Sequence, residues 1–127
     1  MHKSVTVSFA FGVLSLGLAA ALAQTPATTA DTGKGKALVD SKGMTLYTFD
    51  RDAAGKSNCN GQCAVNWPPL MAAADSKASG DWSVVTRDDG GKQWAYKGQP
   101  LYAFVKDAKP GDVTGDGVNN VWHIAAP

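Results

Sequence analysis

Sliding the 127-residue chain along itself by 55 positions brings Gly43, Leu46, Tyr47, Phe49 and Asp52 onto Gly98, Leu101, Tyr102, Phe104 and Asp107. Lys42 then meets Lys97, Ala53 meets Ala108, Trp67 meets Trp122 without a gap, and Gly35 meets Gly90. Rare residue types keeping register over such a span mark an internal duplication, and a duplication dictates the architecture before any local propensity does. The chain is therefore expected to carry two copies of one unit, at about residues 35–70 and 90–126, packed about a pseudo-two-fold axis.

Each copy has the pattern of a β unit. A strand ends at a Lys-Gly turn, Lys42-Gly43 or Lys97-Gly98, and a second strand follows at 45–49 or 101–105. Tyr47 and Phe49 lie two apart, so they share one face of that strand while Leu46 points to the other. Tyr102, Phe104 and Leu101 repeat the arrangement. Apolar groups on both faces imply a strand covered on both sides. A long Gly/Asn/Asp loop then leads to Trp67 or Trp122. Between the copies, residues 82–87 and 92–96 flank Asp88-Asp89-Gly90-Gly91, a strong hairpin signal. Residues 71–79 are Ala-rich and polar, a loop or a short helical turn, and 121–125 form a last strand. The expected class is mainly β: a compact antiparallel sandwich or small barrel of two pseudo-symmetric repeats, occupying residues 37–127 as a single domain.

The amino terminus has a different character. One basic residue, Lys3, precedes an apolar stretch from Val5 to Leu22 that holds no acid and ends at Ala21-Leu22-Ala23, a small-x-small site. This is the pattern of a secretory signal peptide over 1–23, and no Cys follows the site to carry a lipid. Residues 24–36 lack apolar periodicity and are expected to be a flexible leader. Without Lys3, Lys+Arg falls from 12 to 11, equal to the 11 acidic residues. Balanced charge argues against nucleic acid as a partner, and cleavage would leave no stable membrane insertion. All the acids are Asp, which favours turns and caps over helix interiors.

The Tyr-x-[Phe/Trp/Tyr]-x-x-Asp pattern occurs at Tyr47, Phe49 and Asp52 and again at Tyr102, Phe104 and Asp107. With the block from Cys59 through Gly61, Cys63, Ala64 and Trp67 to Pro68, Pro69 and Leu70, and with Pro110-Gly111-Asp112 and Trp122, it resembles a family of secreted bacterial repeat proteins. These are described as lipoproteins with a Yx(FWY)xxD motif, a secreted repeat of unknown function. The resemblance spans residues 35–126 and departs from the family in lacking a lipobox Cys. It implies an extracytoplasmic β protein and brings no settled activity with it.

Several residues have side chains that could carry chemistry. Cys59 and Cys63 are an even pair in an exported chain, which reads as a disulfide; as free thiols they would suit Cu(I) or thiol redox work. His123, the one histidine of the mature part, cannot make a zinc site without the cysteines. Asp52 and Asp107 could face each other as an acid and base across a groove; the plainer reading has each accept backbone N–H groups and fix the loop after its strand. Asp112 and Asp116 touch a calcium-loop pattern, but Thr114 replaces its middle carboxylate. Tyr47, Phe49, Tyr102, Phe104, Trp67 and Trp122 are expected to be core, the two tyrosines the more open of them; their alternative use is as a stacking surface. No nucleophile elbow, phosphate-binding loop or haem-attachment motif is present, so no catalytic residue and no cofactor are expected. The sequence therefore points to an exported, periplasmic or secreted protein, a non-enzymatic domain that binds or scaffolds an envelope protein or small ligand. A copper-binding or thiol-redox protein built on Cys59 and Cys63 is the alternative.

Overall fold

A computed structural model describes residues 25–127. The expected signal peptide lies outside the described residues. Among the described residues, seven short strands, one α-helical turn and one 3-10 turn follow in the order β1 (Thr28–Thr32), β2 (Gly35–Val39), β3 (Tyr47–Phe49), α1 (Gln62–Asn66), β4 (Trp82–Thr86), β5 (Lys92–Tyr96), β6 (Gln99–Pro100), a 3-10 turn (Val118–Asn120) and β7 (Trp122–Ile124). All strand pairs are antiparallel, in the orders β1-β2, β3-β7 and β4-β5-β6. Isolated bridges at Val39 with Thr45, Tyr47 with Tyr102, Pro69 with Tyr102, and Met71 with Gln93 knit these sheets together. None of the sheets closes on itself, so the mainly β class holds and the barrel alternative does not. Residues 72–78 between the repeats carry no regular helix or strand.

The duplication is visible in the hydrogen bonds. The Tyr47 N–H donates to the Tyr102 carbonyl at 2.7 Å and the Tyr102 N–H to the Tyr47 carbonyl at 3.0 Å, so the pseudo-two-fold axis passes between equivalent residues. Around it the bonds come in matched pairs: Leu70 N–H to Leu101 O with Ala125 N–H to Leu46 O, both 2.9 Å, and Trp94 N–H to Leu70 O with Leu38 N–H to Ala125 O, both 2.8 Å. In each pair the closing strand of one repeat is bonded to the other repeat. The repeats have exchanged their last strands, and neither sheet is complete without its partner.

Alternation along the central strands sorts the side chains into two cores. Leu46 and Leu101, both fully buried, lie with Ala27, Leu38 and Ala125 on one face. Tyr47, Tyr102, Cys59, Trp67 and Trp122 lie on the other, with Phe49 and Phe104 packed against them.

Three departures from the sequence reading have physical causes. Residues 28–36 are not a leader without structure. Thr28–Thr32 is a strand, paired with β2 from Thr28↔Val39 to Thr32↔Gly35, and Ala27 enters the core. The segment lacked an apolar pattern because its burial is intermediate to exposed. The strand expected over 101–105 shrinks to a bridge at Tyr102, with Val105 in an exposed turn. Its neighbour is the 66–70 stretch, where Pro68 and Pro69 have no N–H to give a ladder. The equivalent residues of the second copy, His123 and Ile124, have theirs, and β3 and β7 pair over three residues. Finally, Arg87 N–H bonds Gly91 O at 2.8 Å where β1 and β2 pair Thr32 with Gly35. The β4–β5 loop thus holds one extra residue, and Gly91, not Gly90, answers to Gly35.

Leu46→Ala and Leu101→Ala should each cost about 2–5 kcal/mol. The two values should agree closely, since both side chains are fully enclosed in the same cluster. Urea unfolding of the two variants checks this. A cost below about 1 kcal/mol for either would mean that the cluster re-forms around the gap.

Candidate functional site

The two family-type motifs meet at the axis, and their polar ends are crossed. The Tyr47 hydroxyl donates to Asp107 Oδ2 at 2.7 Å, and the Tyr102 hydroxyl donates to Asp52 Oδ2, also at 2.7 Å. Each phenol thus bonds the carboxylate of the other repeat. The second oxygen of each carboxylate faces its own following loop. Asp52 Oδ1 accepts the Asn58 N–H at 2.6 Å, and Asp107 Oδ1 accepts the Thr114 N–H and hydroxyl at 2.9 and 2.6 Å. Each motif Asp therefore ties a tyrosine to a loop that local sequence alone would leave open.

The rings form a cross-repeat stack. Phe49 lies on Trp122 with centroids 4.2 Å apart, Trp122 on Trp67 at 3.8 Å, and Trp67 on Phe104 at 3.9 Å, with interplanar angles of 12°, 3° and 16°. Tyr47 meets Trp67 edge-on at 5.5 Å and Tyr102 meets Trp122 edge-on at 5.2 Å. Both faces of each tryptophan are occupied by other rings, so neither offers a stacking platform to a ligand. The order of burial reverses the expectation. The two tyrosines are fully enclosed, while Phe49 and Phe104 at the ends of the stack are half-buried. The phenols go inside because each finds a carboxylate there. Gly115 closes the stack from one side: a Cβ at this position would come within 2.9 Å of the Trp67 ring and 3.0 Å of Phe104.

A polar network breaks the symmetry. Ser57 Oγ lies 2.7 Å from the Tyr102 hydroxyl and accepts from Arg87 Nη1 at 3.0 Å. The guanidinium, only 4% exposed, also donates to Gln93 Oε1 and to the Cys59 carbonyl, both at 2.7 Å, and Gln93 Nε2 donates to Leu101 O at 2.8 Å. Among the described residues no carboxylate forms an ion pair with Arg87. Its charge is felt by Asp52, to which it is linked through Ser57 and Tyr102, and by Asp88. In the first repeat the phenol has simpler company, the Gly115 N–H at 3.2 Å. Sequence reading missed Ser57, Arg87 and Gln93. Period two along β4 would have found Arg87, because it falls on the buried face of Val85.

Residues 28–71 and 83–126 each match the model of a family described as a secreted repeat of unknown function. The chain belongs to this family of secreted repeats. No curated protein and no solved structure matches it. The matched stretches start with β1 and with the body of β4, and each ends just past an exchanged strand, so each matched repeat includes a strand that hydrogen-bonds the other. No helix among the described residues is long and apolar enough to cross a membrane.

The other candidates are placed as follows in this secreted repeat. Cys59 and Cys63 form a disulfide, with Cα atoms 5.2 Å apart, that anchors the start of α1; the Trp67 N–H then bonds Cys63 O at 2.8 Å. Sulfurs bonded to each other present no thiolate to a soft metal ion. His123 Nε2 pairs with Asp50 Oδ2 at 2.7 Å on the surface, away from both cysteines' bond. Asp112 holds the Ala108 and Lys109 N–H groups and the Lys109 ammonium, while Asp116 takes the Ile124 N–H. The two do not converge, and among the described residues no group of three His, Cys or Asp side chains is arranged to hold a metal. Asp52 and Asp107 face different phenols and not each other. Two shallow clefts flank the stack. One, of about 290 Å3, is lined by Phe49, Arg51, Cys63, Asn66 and the tryptophan edges beside Asn119 and Val121. The other, of about 220 Å3, has Asp52 in its wall with Lys97 and Gln99.

Burial, reinforced by the Asp107 bond, pushes the Tyr47 hydroxyl well above its ordinary value, and burial with Asp52 does the same to Tyr102. Burial also raises Asp52, against the pull of the Tyr102 hydroxyl, the Asn58 N–H and Arg87. A raised phenol gives stability that is complete below the unfolded value near 10 and is lost as pH climbs through the folded value. The fold should therefore weaken steeply above about pH 10. Tyr47→Phe and Tyr102→Phe should each cost about 1–3 kcal/mol at neutral pH, because each leaves a carboxylate short of a donor, and should flatten the alkaline loss. Denaturant melts across pH 7 to 12 read both effects; unchanged alkaline slopes would detach the phenols from the loss.

Asp52→Asn should also be costly, about 1–3 kcal/mol, since both oxygens accept and an amide must turn its NH2 toward one donor. Equality with wild type in the same melts would show that one of the two bonds is dispensable.

Proposed function

We propose that this secreted repeat protein works in the periplasm as a non-enzymatic binding or scaffolding domain, released there by cleavage after Ala23. One observation carries the reading. The groups that could have served as acid, base or stacking surface, Asp52, Asp107, Tyr47, Tyr102, Trp67 and Trp122, are tied to one another inside the fold. What remains for a partner is the outer surface, above all the cleft of about 290 Å3 at the end of the ring stack. Its wall mixes the half-buried Phe49 ring with Arg51, Asn66 and Asn119, the mixture of apolar contact and donors that ligand sites use. Asn119 and the adjoining Asn120 hold positive φ of 52° and 61°, the kind of local strain that gathers at binding loops. The copper alternative has less support, because its two sulfurs are engaged in the disulfide and present no thiolate.

Protein purified from the cell envelope should begin at Gln24, as read by N-terminal sequencing. Native mass spectrometry of the same material should show an added mass that leaves chemically unaltered on denaturation. Arg51→Ala should lower its occupancy by roughly tenfold in affinity with an unchanged unfolding midpoint. Conversion of the released species to a new product by fresh protein would overturn the non-enzymatic reading. An intact Met1 would overturn the processing.

A further inference from the structure

The ring stack and the crossed phenols share a property that packing does not require. Indole and phenol are the side chains most readily oxidised by one electron once the thiols are joined, as Cys59 and Cys63 are. A phenol that loses an electron becomes a strong acid, and in a dry interior the charge is not tolerated unless its proton leaves at once. A base must then stand within hydrogen-bond reach beforehand. Tyr102 has one at 2.7 Å in Asp52, and Tyr47 has one at 2.7 Å in Asp107. Each phenol also touches a tryptophan whose edge lines the surface cleft, Tyr102 on Trp122 and Tyr47 on Trp67, and the two indoles lie parallel at 3.8 Å.

We propose that the stack and the Tyr102–Asp52 pair form a one-electron relay, which accepts a hole from an outer-sphere oxidant at the cleft and stores it as a neutral tyrosyl radical. The oxidant, a metal complex of high potential, takes one electron from the Trp122 edge. Tyr102 returns an electron to Trp122 while its O–H bond breaks and a new O–H bond forms on Asp52 Oδ2. The net change is one electron gained by the oxidant and one proton moved from Tyr102 to Asp52, and a one-electron donor restores the start. The branches differ in their outlets. Asp52 lines the cleft of about 220 Å3, so its proton reaches solvent. Asp107 is 8% exposed, with its other oxygen held by Thr114. Ser57, itself held by Arg87, keeps the Tyr102 oxygen in place as its proton departs. Tyr102 is therefore the terminus and Tyr47 the minor branch.

The mature protein with its disulfide intact is oxidised by a photogenerated ruthenium(III) polypyridyl complex, and the radical is identified by electron paramagnetic resonance. The expected product in the wild type is a neutral tyrosyl radical. Tyr96→Phe should leave that signal unchanged, and Tyr102→Phe should cut the tyrosyl yield by roughly tenfold or more, leaving a tryptophan radical with only the weak Tyr47 signal of the minor branch. Asp52→Asn keeps the phenol but removes the base, and should slow tyrosyl formation by about a hundredfold or more, with near-ultraviolet circular dichroism confirming the fold. If Tyr102→Phe does not fold, the Asp52→Asn rate and the Tyr96→Phe spectrum still decide. A radical that resides on Tyr96, or an Asp52→Asn rate equal to wild type, would overturn the relay and leave the Tyr–Asp pairs as structure alone.

Discussion

Two hydrogen bonds of 2.7 Å, from Tyr47 to Asp107 and from Tyr102 to Asp52, set the terms for the rest of this molecule. A phenol and a carboxylate are both expensive to bury alone. Paired, they satisfy each other, and the pairing works only if the two repeats are brought face to face. The exchanged strands do that. The closing strand of each repeat hydrogen-bonds the other, and the tryptophans those strands deliver, Trp67 and Trp122, stack across the axis. Backbone exchange, the stacked rings and the Tyr–Asp crossing are three expressions of one constraint: each joins different repeats.

The departures from symmetry are as informative as the symmetry. Pro68 and Pro69 stand where the second copy has His123 and Ile124, so one flank of the axis carries a ladder and the other a single bridge. Arg87 follows Val85 onto the buried face of the second hairpin, where the equivalent Thr32 of the first hairpin stays near the surface. The buried guanidinium fixes Ser57, Gln93 and the Cys59 carbonyl together. It thereby links the disulfide loop to one phenol and leaves the other phenol outside the network. Duplication made two equivalent Tyr–Asp pairs, and later divergence gave them unlike surroundings.

The sequence made the repeat, the strands at Tyr47 and Trp122, the 82–96 hairpin and the two-sided burial of the central strands legible, because these depend on period and register within a few residues. The order of burial among the aromatics was not legible. Composition makes a tyrosine look like the member nearest to water, and only a carboxylate from 60 or 50 residues away makes the interior acceptable to it. Strand β1 escaped notice for the opposite reason. It buries little of its own surface, so it carries no apolar period, and its place is decided by pairing with β2.

The sequence by itself determined that this protein is a duplicated β unit of the secreted-repeat kind, with motif residues that recur at one fixed spacing. Register and alternation are local properties, and they survive in the linear text. The tertiary structure alone decided that the motifs cross, that the tryptophans have no free face, and that Arg87 lies inside without a carboxylate beside it. Those outcomes rest on which group of one repeat meets which group of the other. A hydrogen-bond partner chosen across a pseudo-two-fold axis leaves no periodic trace in either half of the chain.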